Sequence, residues 1–227
     1  MTAVVPSPRT GTRSLAHPRR LTREEGGELL HALLWVTGPG HRMISSAVLG
    51  GGIGERAWVL NAQVSHGYRR TDPGRHLAGL AAGWGARGPG AGLMTAADVS
   101  GYAHGHDEGV DAFVTAGIDV RGWAAVPGAG TGGAPAPGTI NIVAAVPVSL
   151  GDAALVNAVA TVTEAKVQAL VESGHDCSGT PTDAVCVISR TAGPGEEEHA
   201  FAGPRSLWGA RLARAVHRAV RAAVREP

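Results

Sequence analysis

The chain has 227 residues, of which 44% are apolar and 17% charged, and its formal net charge is +1. That composition excludes a disordered polymer, and the near-neutral balance gives no electrostatic reason to bind nucleic acid or an anionic membrane. No apolar run is expected to reach the ~20 residues of a membrane span, and the N-terminus lacks the apolar region of a signal peptide. The two cysteines, Cys177 and Cys186, have neither a metal spacing nor a disulfide framework. A cytoplasmic location with reduced thiols is the expectation.

In chain order, residues 1–28 are polar, rich in Pro and Arg, and read as a flexible N-terminal tail before one domain spanning 29–227. The run Leu33 to Gly38 reads as a first strand. "HRMISSAVLGGGIGE" reads as a strand entering a glycine-rich turn. Ala57 to Val64 alternates as a strand should. "RTDPGRHLAGLAAGWG" opens a helix, with Thr71 or Asp72 as cap and Pro73 in the first turn. "AGLMTAADVS" and "GVDAFVTAGI" follow as strands, the second after a turn-like "GYAHGHDEG". Val126 to Gly138 is a Gly/Pro/Ala loop, expected to be flexible and to lie over a site. "TINIVAAVPVSL" reads as a central strand, and "GDAALVNAVATVTEAKVQALVESG" is the best helix in the chain. "DAVCVIS" is a strand, and the C-terminal 25 or so residues form an amphipathic helix. Strands dominate the first half and helices the second. The expected fold class is therefore α+β: a single domain with a mostly antiparallel or mixed sheet and helices packed on it.

Lys166 is the one lysine among twenty basic residues. The Ala, Gly and Arg bias suggests a GC-rich genome, and Lys166 stands against that bias. An α-helix advances about 100° per residue. With Leu155 at zero, Val156, Val159, Val162, Val167 and Leu170 span about −20° to 120°. Lys166 at about 20° and Thr163 at about 80° fall inside that apolar arc, while Asn157, Thr161, Glu164, Gln168 and Glu172 form a polar face. Lys166 is thus aimed inward, where an ammonium needs a partner. It can serve as a base or as a donor to an anionic or carbonyl group, pair structurally with Asp183 or Asp98, or reach solvent with its tip.

The blocks "HRMISSAVLGGGIGE", "WVLNAQV", "RTDPGRHL", "GLMTAADV", "GTINIV", "LVNAVATVTEAKVQAL", "SGTPTDAVCV" and "FAGPRSLWGARLARAV" together resemble the adenosylcobinamide amidohydrolases of cobalamin salvage, the CbiZ type. The likeness runs from about His41 to Val224. It implies hydrolysis of the amide between the aminopropanol arm and the corrin ring, giving adenosylcobyric acid and 1-amino-2-propanol. Cobalt would belong to the substrate, so no protein cofactor or metal is expected. The implied partner is a small-molecule corrinoid, with no nucleic acid and no membrane; a homo-oligomer is compatible with this. A corrinoid carrier without catalysis, or an amidohydrolase of another small amide, is the rival reading.

Amide hydrolysis needs a nucleophile, a base and donors for the developing oxyanion. "SGTPTDAVCV" places Thr180, Thr182 and Asp183 where a loop enters a strand. Lys166, Asp183, Thr182 and Ser46 are the catalytic candidates. Thr180, Asn61, Asn141, Trp123 and the nest-like Gly50, Gly51 and Gly52 are the substrate-binding candidates. Turn chemistry alone would also explain the Thr, Asp and Gly residues. Ser45, Gln63, Thr95, Asp98 and Thr139 are weaker possibilities. Asp72 and His76, four apart, could form an Asp–His couple, against a cap with an exposed His. His104, His106 and Asp107 read as a polar hairpin turn and not a metal cluster, the cysteines as inert, and the C-terminal arginines as a solvated face.

Overall fold

The computed structural model describes residues 15–126 and 138–225. The expected loop from Val126 to Gly138 and the first half of the expected tail lie almost wholly outside those residues. Strands β1 (Arg19–Glu25), β2 (Glu28–Val36), β5 (Trp58–Gln63) and β6 (Gly90–Thr95) form one sheet in that order. Strands β3 (His41–Ser45), β4 (Gly52–Glu55), β7 (Ala103–Asp107), β8 (Val110–Gly117), β9 (Thr139–Val146) and β10 (Ala184–Arg190) form the other, ordered β4-β3-β10-β9-β8-β7. Each sheet is antiparallel except for one parallel pair, β5 with β6 and β9 with β10. The α+β, mixed-sheet expectation holds, with two sheets in place of one.

The sheets pack face to face. Leu33, Trp35, Val59, Leu93, Phe113, Val143 and Ile188 fill the space between them. Helix α1 (Pro73–Gly83) covers the outer face of the four-stranded sheet, where Leu34, Trp58, Leu60, Leu77 and Ala81 cluster. Helices α2 (Asp152–Glu172) and α3 (Leu207–Ala223) cover the outer face of the six-stranded sheet. Four layers result, helix–sheet–sheet–helix. Strands buried on both faces need not alternate, so β5, expected to alternate, is instead buried at five consecutive positions from Trp58 to Ala62.

The segment expected to be tail supplies β1 from Arg19 onward. Gly26 and Gly27, both at positive φ, form a two-residue turn that sets Glu25 opposite Glu28. This strand is an edge, and its charges suit that position by discouraging pairing with another chain. Likewise "AHGHD", expected to be turn, is a strand whose hairpin turns at Glu108 and Gly109, both at positive φ. Polar side chains are tolerated there because β7 is also an edge.

Helix α2 has the length and composition of a membrane span, contrary to the sequence expectation, yet half of its most apolar stretch is buried inside the fold. Its buried face is Ala154, Leu155, Ala158, Thr161, Val162, Ala165, Lys166, Ala169 and Leu170. Thr161, expected on the polar face, is buried and donates to the Ala202 carbonyl at 2.8 Å. Thr163, expected inside, is exposed and donates back to Val159 O.

Helix α3 crosses β7 at Gly105, where an added Cβ would sit 2.2 Å from Ala215 O and 2.8 Å from Ala219 N. Both are backbone atoms that cannot step aside. Gly105→Ala is therefore expected to lower stability by about 1–3 kcal/mol, read as a lower urea midpoint. Arg214 and Arg218 of α3 are exposed, as expected of a solvated face, and also bind the carboxylate of Asp107 at 2.6 and 2.9 Å, while the less exposed Arg211 pairs with Glu108.

Candidate active site

At one edge of the sandwich the C-terminal ends of β3, β5 and β6 meet the N-terminal ends of β9 and β10. They enclose a cavity of about 390 Å³. The six-stranded sheet contributes Ser46, Thr139, Thr182 and Asp183 to its wall; the four-stranded sheet contributes His66, Tyr68 and Thr95.

Asp183 precedes β10, and its carboxylate closes the loop that leads into the strand. Oδ1 accepts from Thr180 Oγ1 at 2.5 Å and from the Ile140 N–H at 2.9 Å. Oδ2 accepts from the Thr180 N–H at 3.2 Å and from Lys166 Nζ at 2.5 Å. The side chains of Lys166 and Asp183 are only 10% and 14% exposed. Lys166 thus stands behind Asp183, one layer back from the cavity wall. Asp98, the other partner considered, instead accepts from the backbone N–H and hydroxyl of Ser100.

The geometry answers why the basic residue here is lysine. A Cβ added to Gly179 would lie 2.6 Å from Nζ and 2.2 Å from Asp183 Oδ2. A compact ammonium on an unbranched stem fits that gap, whereas a planar guanidinium needs more width.

Beside this pair, Thr182 Oγ1 donates to Gly138 O at 2.8 Å and so accepts from Thr139 Oγ1 at 2.6 Å. Ser46 Oγ accepts from the Val185 N–H at 3.0 Å. Among the described residues no His, Lys or carboxylate hydrogen-bonds that hydroxyl. Ser45 points away and donates to Val185 O.

Of the proposed site residues, Lys166, Asp183, Thr180, Thr182 and Ser46 come together. Asn61 and Asn141 do not line the cavity. They are 2% and 1% exposed, between the sheets, where Asn141 Nδ2 donates to Asn61 Oδ1 at 2.8 Å and Asn61 Nδ2 to Thr115 Oγ1 at 2.9 Å. Gly50 and Gly51 lie in the turn between β3 and β4 and Gly52 opens β4, all outside the cavity wall. A side chain at Gly50 would overlap Gly90 O at 2.0 Å, so contact between the sheets demands that glycine. Trp123 is 45% exposed and donates its indole N–H to Asp176. The Gly122 backbone next to it pairs with Gly179, which ties this stretch to the Asp183 loop.

The Asp72–His76 couple does not form. Asp72 holds Arg70 through two bonds, while His76, 8% exposed and not the solvent-facing helical His considered as the alternative, meets the Tyr68 hydroxyl. His104 and His106 both contact Asp111 at 2.9 Å. Among the described residues no group of three or more His, Cys, Asp or Glu is placed to hold a metal ion. Burial pushes the Cys186 thiol up to about 12 and raises Cys177 as well, as expected of inert thiols.

Sequence reasoning missed His66 and Tyr68. Their signal was available: "SHGYRR" leaves β5 at its C-terminal end, beside a parallel neighbour, where loops gather into sites.

A family model described as adenosylcobinamide amidohydrolase matches residues 15–227. An adenosylcobinamide amidohydrolase of Methanosarcina mazei is 31% identical over 187 residues, covering 78% of this chain and 87% of that protein. One of Halobacterium salinarum is 41% identical over 88 residues, 39% of this chain and 36% of that protein. Among solved structures, the PH0078 protein of Pyrococcus horikoshii OT3 superposes with a TM-score of 0.47 at 14% identity, covering 91% of this chain and 82% of that one.

Proposed function

The chain belongs to the adenosylcobinamide amidohydrolase family, and from that premise we propose that its cavity cleaves the amide joining the aminopropanol arm to the corrin ring. It is a hydrolase acting on an amide bond. The products would be adenosylcobyric acid and 1-amino-2-propanol, a step that returns incomplete corrinoids to cobalamin synthesis. A cavity of about 390 Å³ takes an amide arm and not the macrocycle, so the ring would rest at the mouth. Val48, 53% exposed there, offers it an apolar rim.

The observation that carries this reading is the largely buried Lys166–Asp183 pair, whose Asp183 forms part of the cavity wall while Lys166 backs it. Its fixed charges supply preorganised electrostatics at the cavity wall. The Ser46 and Thr182 hydroxyls would address the scissile amide. Ser46 lacks a base partner among the described residues, which favours water over Ser46 as the attacking group.

Incubation with adenosylcobinamide followed by mass spectrometry tests the proposal. Purified enzyme should release 1-amino-2-propanol, and Asp183→Asn should lower turnover by about 100-fold or more. Tight binding of intact cobinamide without cleavage would point to a carrier and defeat the proposal.

A further inference from the structure

Asp183 already accepts four hydrogen bonds. The proton released when water attacks an amide therefore needs another acceptor on the cavity wall. Tyr68 stands on the part supplied by the four-stranded sheet. Its hydroxyl lies 3.1 Å from His76 Nδ1, and the two rings stack at 5.7 Å with 11° between their planes. His76 Nε2 faces Glu25 Oε2 at 3.4 Å. Glu25 in turn accepts from Arg23 Nε at 2.8 Å. Three separate elements contribute: the loop after β5, helix α1 and strand β1.

We propose that Tyr68, His76 and Glu25 form a proton relay opening into the cavity, with Tyr68 as the catalytic residue and the other two positioning it. The proposal deepens the amide-hydrolysis reading and rests on it. The Glu25 carboxylate, 3.4 Å from Nε2, favours the proton on that nitrogen, so the Nδ1 lone pair receives the Tyr68 O–H. The phenolic oxygen then turns its own lone pairs to the cavity. As water attacks the carbonyl carbon, one water O–H bond breaks and its proton passes to the Tyr68 oxygen. The Tyr68 proton moves to Nδ1, leaving an imidazolium beside the Glu25 carboxylate. When the tetrahedral intermediate collapses, the C–N electron pair stays on nitrogen. The nitrogen takes the Tyr68 proton, Tyr68 recovers one from Nδ1, and all three residues return to their starting states.

The surroundings suit these roles. Burial, with the charges of Arg70 and Arg23, holds His76 below its ordinary 6.5 despite Glu25 and Asp72, so its Nδ1 is an acceptor at neutral pH. Burial also raises Tyr68, with Asp72 and Glu25 adding to it and Arg70 and Arg23 opposing, so the phenol keeps its proton at rest.

Steady-state release of 1-amino-2-propanol, measured across pH for Tyr68→Phe and His76→Gln, tests the relay. The unaltered enzyme should lose kcat on the acid side with a midpoint below 6.5. Tyr68→Phe should lower kcat about 100-fold or more at unchanged KM and Tm, and should erase that acid limb. Nitrogen-15 NMR of the unaltered enzyme should show His76 as the Nε2–H tautomer. Wild-type kcat and acid limb in Tyr68→Phe, or an Nδ1–H tautomer, overturn the relay while leaving amide hydrolysis intact. If the unaltered enzyme releases no amine, the hydrolysis reading falls and takes the relay with it.

Discussion

Lys166→Met should lose about 3–5 kcal/mol of stability, because it leaves the largely buried Asp183 carboxylate without its cation. Urea denaturation read by circular dichroism measures that loss. The double variant Lys166→Met/Asp183→Leu removes both charges, and it should recover much of the stability, since apolar replacement of a buried pair is often neutral or better. Its turnover of adenosylcobinamide should stay near zero. That combination separates the two roles of the pair: the fold tolerates an apolar plug there, whereas the reaction requires the charges. A double variant that hydrolyses at the wild-type rate would show that the pair serves structure alone.

The second large effect is expected at Gly179. A methyl group there would overlap Asp183 Oδ2 and Lys166 Nζ, at 2.2 and 2.6 Å. Either the loop shifts or the pair separates. Gly179→Ala should cost about 1–3 kcal/mol by overpacking and lower turnover by at least about 100-fold, because displacement of about 1 Å at a reacting centre has that consequence. Gly122→Ala is the matched control. It alters the facing backbone, where an added Cβ meets nothing within 4 Å, and should behave as the parent does. Equal activity in Gly179→Ala and the parent would mean that the pair has room to spare.

Much of this architecture was legible in the sequence, and the misreadings have common causes. The inward aim of Lys166 followed from the helix period. The centre of the buried face did not. The wheel counted Val and Leu and ignored Ala154, Ala158, Ala165 and Ala169, which a composition rich in alanine seemed to make uninformative. Those alanines let α2 lie close to its neighbours, and they rotate the buried arc so that Val156 and Val171 face solvent at 59% and 50% exposure. Strand β1 was missed because an edge strand held by backbone pairing needs few apolar residues. Its signal was the "GG" turn and not hydropathy. Thr180, Thr182 and Asp183 were legible because loop-closing residues and site residues share a chemistry. The involvement of Glu25 was not, because it depends on a strand, a loop and a helix meeting in space.

The order of the six-stranded sheet carries a consequence for synthesis on the ribosome. Strand β3 sits between β4 and β10, so residues 41–45 wait for residues 184–190 to complete their pairing. Most of the polypeptide must emerge before the inner layer can close, and closing so long a chain segment is slow. Until then the nascent chain exposes apolar strand faces and open edges, the features that make partly folded chains prone to associate with one another.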